Sequence, residues 1–163
     1  MSEHTGCFSP LITVDLVSTK VDVTSKKRVL EFLSDKLAHC SEQVNEERVF
    51  EKLVERERLG STAMGDGVAI PHARMEGVER AMIALATLAK PIDFDATDRQ
   101  PVDLIMALLV PQECTDGHLR LLKWAAEMFS DRRYCDLLRS ANCDNNLFEL
   151  LDNWNSPSIA AEA

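Results

Sequence analysis

The 163-residue sequence has no surplus of basic residues: 18 Lys and Arg stand against 27 Asp and Glu, a formal net charge of -9. A protein that neutralises nucleic-acid phosphates needs the opposite balance, so the charge argues against a nucleic-acid partner. No apolar run approaches the ~20 residues that cross a bilayer, which argues against a membrane span. The N-terminus also lacks the basic and apolar regions of a secretory signal. Cysteine is sparse and unpaired by spacing: Cys7, Cys40, Cys114, Cys135 and Cys143 form no CxxC and leave one over. That pattern argues against a disulfide framework or a zinc site and fits thiols in a reducing compartment. These absences together describe a soluble cytoplasmic protein.

Several catalytic signatures are missing too. The loop Gly60 to Gly67 has neither the GK[ST] of a phosphate-binding loop nor a GxGxxG dinucleotide fingerprint. Ser61, His72 and Asp103 supply the residue types of a hydrolase triad, but no G-x-S-x-G elbow accompanies them. Neither Cys114 nor Asp66 completes an evident metal set with His72 and His118. Internal repeats and low-complexity tracts are absent.

What is present is an ordinary globular balance, 45% hydrophobic and 28% charged, in a chain long enough for one well-buried core. Residues 1–10 read as a flexible N-terminus and 154–163 as a flexible tail around a single domain of residues 11–153. Short β-rich pieces lie around Ile12 to Leu16 and Val21 to Val23. Thr24 or Ser25 caps a helix with Val29, Leu30, Leu33 and Leu37 on one face. Asn45 caps a second, bearing Val49, Phe50, Leu53 and Val54, with acids in its first turn, Arg56 and Arg58 in its last, and Gly60 beyond. A strand ends at His72, another spans Met82 to Ala89, and Asp93 to Gln100 form a polar loop. Pro101-Val102-Asp103 opens a third strand, whose unbroken apolar run Leu104 to Val110 is that of an interior strand covered on both faces. Asp116 or Thr115 caps a helix carrying Leu119, Leu122, Ala126 and Phe129. Helices at Arg132 to Arg139 and Asn145 to Asn153, the latter capped by Asp144, complete the chain. The pattern predicts an α/β three-layer sandwich, a central mixed sheet flanked by helices on both faces.

Gly67-Val68-Ala69-Ile70-Pro71-His72-Ala73-Arg74 is the most informative stretch. A histidine at the end of a short apolar run is held by backbone on one side and open on the other. That placement suits an imidazole that accepts and releases a charged group. His39, at a helix end, is explained by capping, and His4 lies in the N-terminal segment. His118 follows Gly117 just after the loop that closes the interior strand, where sites assemble in α/β sheets, so His72 and His118 are candidates to share one crevice.

Two longer segments carry a family resemblance. The first runs from Leu53 through Gly60-Ser61-Thr62 to Gly65-Asp66-Gly67-Val68-Ala69-Ile70-Pro71-His72. The second comprises Pro91-Ile92-Asp93-Phe94-Asp95, Gln100-Pro101-Val102-Asp103-Leu104, Leu109-Val110-Pro111 and Gly117-His118-Leu119. Over roughly residues 11–153 the chain resembles enzyme IIA of the phosphoenolpyruvate-dependent phosphotransferase system, fructose/mannitol class, and within it the nitrogen-regulatory type. The resemblance implies that Nε2 of His72 accepts a phosphoryl group from a histidine phosphocarrier protein. It implies that Arg56 and His118 line the same pocket, and that Ser61 and Thr62 belong to the loop facing the phosphoryl group. It implies no metal and no cofactor, and regulatory protein targets chosen by phosphorylation state. Arg74 stands where relatives vary. Arg56 also fits as a plain helix C-terminal cation, and Ser61 and Thr62 also fit as turn residues. A sugar-specific enzyme IIA passing phosphate to a IIB domain is the alternative. The chain ends soon after the IIA-length domain, which favours regulation. A binding module without chemistry is disfavoured by the intact run ending at His72.

Overall fold

The computed structural model describes Phe8 and residues 11–155. Its elements in chain order are β1 (Val17–Val21), α1 (Lys26–His39), α2 (Glu46–Arg58), β2 (Ala63–Gly65), β3 (Val68–Ala69), β4 (His72–Met75), β5 (Met82–Ile92), β6 (Val102–Pro111), α3 (Asp116–Ser130), α4 (Arg132–Ser140) and α5 (Asp144–Asp152). One mixed sheet runs β1-β5-β6-β3-β2, with β4 also on β6. The pair β5 and β6 is antiparallel, whereas β1 on β5 and β3 and β4 on β6 are parallel. Leu104 to Val110 of β6 are all buried, as the apolar run predicted for a central strand. Helices α1 and α2 pack on β5 and β4, and α4 and α5 on β6 and β1, giving the expected α/β sandwich. No helix among the described residues is long and apolar enough to cross a membrane.

The first two helices form where their caps stand. The Ser25 hydroxyl accepts from Arg28 N–H at 3.2 Å and the Asn45 side chain from Arg48 N–H at 3.1 Å, each bond stabilising its helix by about 1 kcal/mol. Val29, Leu30, Leu33 and Leu37 are the buried face of α1.

Other elements correct the sequence reading. Val14–Leu16 close into a 3-10 turn through a 2.9 Å bond from Leu16 N–H to the Thr13 carbonyl, so the first strand begins at Val17. The fifth strand continues to Ile92, with a register shift after Thr87 that accommodates Pro91. In α3 the buried residues are Leu121, Ala125, Met128 and Phe129, and Leu119 is 66% exposed. Apolar residues there populate two adjoining stripes, and the one sharing a face with His118 is buried. Thr115 takes the N-cap position of α3 without a side-chain bond, and Cys143 takes that of α5. Asp144 accepts instead from the Thr19 N–H and hydroxyl, both at 2.9 Å, pinning the edge strand β1. Phe8, assigned to the flexible N-terminus, is buried and stacks on Trp154 of the expected tail, with centroids 5.6 Å apart. Apart from Asn155, the rest of those two segments, with His4 and Cys7, lies outside the described residues.

The turn feeding the His72 segment depends on one glycine. Gly67 has φ +81, and a Cβ there would meet Arg139 Nη2 at 2.8 Å and Asp103 Oδ1 at 3.2 Å. Its carbonyl receives the N–H groups of Asp103 and Leu104 at 3.0 and 3.1 Å. Arg139 closes the turn from below, donating to Asp103 at 2.9 Å and to the Asp66 carbonyl at 2.7 Å. Gly67→Ala should therefore destabilise the fold by about 1–3 kcal/mol through backbone strain. Urea unfolding measures this, and an unchanged midpoint would show that the turn relaxes freely.

Candidate functional site

β3 and β4 are one strand interrupted. Every pair on β6 keeps the same offset, from Val68 opposite Leu104 and Ala69 opposite Ile105 to His72 opposite Leu108. Only Ile70 and Pro71 leave the ladder, and the Pro71 carbonyl still accepts from Leu108 N–H at 2.9 Å. His72 thus opens β4 and does not end a strand. The interruption turns the Ile70 carbonyl toward the ring, where it meets His72 Nδ1 at 2.8 Å. A carbonyl can only accept, so Nδ1 carries the proton and Nε2 holds the lone pair.

Nε2 faces a cavity of about 660 Å³ lined by residues from α2, β4 and the start of α3. From the last turn of α2, Arg56 Nε–H donates to His72 Nε2 at 3.2 Å, and its Nη1 donates to the Gly60 carbonyl at 2.8 Å. The His118 ring stands edge-on to His72, centroids 5.2 Å apart and planes at 66°. Its buried Nε2 has no hydrogen-bond partner among the described residues, an unmet polar valence beside His72.

Both histidines are held below their ordinary basicity. For His72 the main cause is desolvation, aided by the Arg56 charge and opposed by the Ile70 carbonyl and Glu57. For His118 desolvation leads again, followed by His72 and Arg74. Both rings are therefore mainly neutral at pH 7, and Nε2 of His72 keeps its lone pair.

The structure brings His72, Arg56 and His118 together as the sequence grouped them, but it turns Ser61 and Thr62 elsewhere. The Ser61 hydroxyl donates to the Phe94 carbonyl at 2.6 Å, and the buried Thr62 hydroxyl donates to Glu57. Neither residue lines the cavity. In their place the lining adds Lys52, Arg58, Arg74 and Gln112, which sequence reasoning left unassigned to the pocket. The signals were there: Lys52 is one helical turn before Arg56, and Arg74 is two residues beyond His72 on the same strand face.

Comparisons with known proteins identify the family and the fold. The family model for the phosphoenolpyruvate-dependent sugar phosphotransferase system, EIIA 2, matches residues 10–154. The nitrogen regulatory protein of Pseudomonas aeruginosa is 43% identical over 127 residues, covering 78% of this chain and 82% of that protein. That of Escherichia coli K12 is 40% identical over 155 residues, covering 94% of each. The crystal structure of nitrogen regulatory protein IIA-Ntr from Neisseria meningitidis superposes with a TM-score of 0.83 at 36% identity, covering 88% of this chain and 98% of that one.

The lowered histidines make a pH prediction whose sign follows from linkage. An unfolded histidine titrates near 6.5, so below that value the unfolded chain binds protons that the folded site refuses. Stability should thus be full above about pH 6.5 and fall as pH drops toward the folded values. The slope should shrink in a His72→Gln/His118→Gln variant. Denaturant unfolding from pH 5 to 8 tests this, and equal slopes in both proteins would contradict it.

Proposed function

The chain belongs to the phosphoenolpyruvate-dependent sugar phosphotransferase system EIIA 2 family, and we propose that it is a phosphocarrier whose acceptor atom is Nε2 of His72. The bond from Nδ1 to the Ile70 carbonyl carries this reading, because it leaves the outward nitrogen with the lone pair. The donor is a histidine phosphocarrier protein of the nitrogen-type system; relatives named nitrogen regulatory protein support the nitrogen type. In transfer, the Nε2 lone pair forms the new N–P bond as the donor's N–P bond breaks, and that electron pair returns to the donor ring. The proton stays on Nδ1, donated to the Ile70 carbonyl, so the His72 ring gains positive charge that the carbonyl stabilises. Arg56 moves its donors from the lone pair to the phosphoryl oxygens, and His118 Nε2–H supplies a further donor.

The lining suits the charge that arrives. Lys52, Arg56, Arg58 and Arg74 outnumber the single acid Glu55, so an acidic protein has turned its local field positive where a dianion is received. Ser61 and Thr62 serve this site through the loop they anchor. Regulation of protein partners follows from the same geometry. Leu59, 85% exposed, stands on the rim, and Leu119 follows His118 at 66% exposure. A partner docked on those leucines over a free His72 loses affinity when about -1.5 to -2 charges of phosphate enter the mouth.

Incubation with phosphoenolpyruvate and the upstream carriers should add one acid-labile, alkali-stable phosphoryl group, read by intact mass. His72→Ala should abolish it, and Arg56→Ala and His118→Ala should each slow it ~10²–10³-fold with the fold intact. A phosphoryl group retained by His72→Ala would refute the assignment. Binding isotherms on free and phosphorylated protein should differ several-fold for a regulatory partner, with superimposable backbones. Equal affinities would return the chain to a plain relay.

A further inference from the structure

The core stripe of α2 is Val49, Leu53 and then Glu57, a carboxylate where the spacing calls for an apolar side chain. Burying it is costly unless donors meet it, and three do. The Thr62 N–H donates to Oε2 at 3.2 Å, the Thr62 hydroxyl donates to Oε1, and the Lys26 ammonium of α1 lies 2.9 Å from Oε2. Lys26 also reaches the Phe94 carbonyl at 3.5 Å and Asp95 at 3.4 Å, and sits 4.7 Å above the Phe94 ring. Glu57 therefore joins the start of α1, the end of α2 and the loop after it, and through Lys26 the loop between β5 and β6.

Between Glu57 and Thr62 lies the segment that carries the Gly60 carbonyl. Gly60 has φ +152, and a Cβ built on it meets nothing within 4 Å, so side-chain packing does not fix it. Its N–H donates to the Glu57 carbonyl at 3.1 Å, and its chain is pinned downstream by Ser61 on Phe94 and Thr62 on Glu57. The Gly60 carbonyl in turn holds Arg56 Nη1 at 2.8 Å while Nε reaches His72. We propose that Glu57 is a positioning residue for transfer at His72: its buried carboxylate, through Thr62, sets the loop whose Gly60 carbonyl aims the Arg56 guanidinium at the nucleophilic nitrogen. The inference rests on His72 being the acceptor. The Glu57 charge also opposes the lowering of His72 basicity by Arg56. The other charged or titratable groups around these two residues are Lys26 from α1, Lys52, Glu55 and Arg58 from α2, Arg74 from β4 and His118 from α3.

A double-mutant cycle on the full chain tests this. Glu57→Gln keeps the shape and loses the charge, and should slow transfer ~10²-fold, the cost of misplacing a group by about 1 Å. The final extent should still reach one phosphoryl group. Thr62→Val removes only the hydroxyl tie and should slow transfer several-fold. In an Arg56→Ala background Glu57→Gln should add nothing, since its action passes through the guanidinium. Without any phosphoryl donor, the Arg56 Nε–H NMR signal should be protected in the wild type and lost to solvent exchange in Glu57→Gln, with the backbone spectrum otherwise unchanged. Additive losses in the cycle, or a protected Arg56 signal in Glu57→Gln, would overturn the proposal. A wild-type protein that takes no phosphoryl group would refute the reading of His72, and the Arg56 signal would then decide the positioning role alone.

Discussion

The site depends on a hydrogen bond of the shortest sequence range, from His72 Nδ1 to the carbonyl of Ile70 two residues earlier. In a regular strand that carbonyl would belong to the ladder or point away from the ring. Here the chain leaves β6 for two residues and returns without losing register. Proline at position 71 has no N–H to lose from the ladder, which makes the excursion cheap. The result is an imidazole whose tautomer is set by its own backbone. Its lone-pair nitrogen stands on a strand paired to the most deeply buried strand of the sheet, and in the proposed role so rigid an element holds the acceptor to the tolerance that in-line transfer requires.

Around this fixed nitrogen, the groups proposed to meet the phosphoryl oxygens come from three elements with independent reasons to end there. Helix α2 brings Arg56 and Arg58 in its last turn, where cations also favour the helix dipole. β4 brings Arg74 on the strand face that carries His72. Helix α3 brings His118 in its first turn, with Leu121 and Ala125 buried on the same face. The register of α3 and the approach of His118 to His72 are thus one packing event, and neither arises without the other.

The parts of the fold that were legible in the sequence are those with local causes. Ser25 and Asn45 announced α1 and α2, and the run Leu104 to Val110 announced the central strand. The run ending at His72, with Arg56 and His118, pointed to the three side chains that share the cavity. The errors arose where two local readings were equally good and tertiary contact decided. Val14 to Leu16 has β-rich composition but closes a turn, and α3 offers two apolar stripes. Asp144 is a natural cap, yet the edge strand claims its carboxylate. Ser61 and Thr62 were assigned to the phosphoryl group by family pattern. Nothing in their own spacing reveals that Glu57 and the Phe94 carbonyl engage the two hydroxyls, because Phe94 lies far away in sequence and Glu57 is a charged helix residue that reads as surface until α2 is packed.

The engagement of Thr62 by Glu57 raises the question of why a carboxylate occupies a core position at all. Stability is a poor answer. A buried ion pair seldom outweighs the cost of desolvating its members, and an apolar replacement of similar volume is often neutral or stabilising, whereas removing one partner alone costs about 3–5 kcal/mol. With Lys26 one-fifth exposed and Glu57 almost fully buried, the desolvation falls mainly on the carboxylate. What an apolar side chain could not supply is direction. Leucine at position 57 would fill the space but leave the Thr62 N–H and hydroxyl without acceptors, and it would not fix the angle at which the chain leaves α2. That angle places the Gly60 carbonyl, and so decides whether Arg56 points across the cavity or out to solvent. In the proposed role the ion pair is geometry held at some expense in stability, next to a transfer step that is sensitive to the position of a single cation.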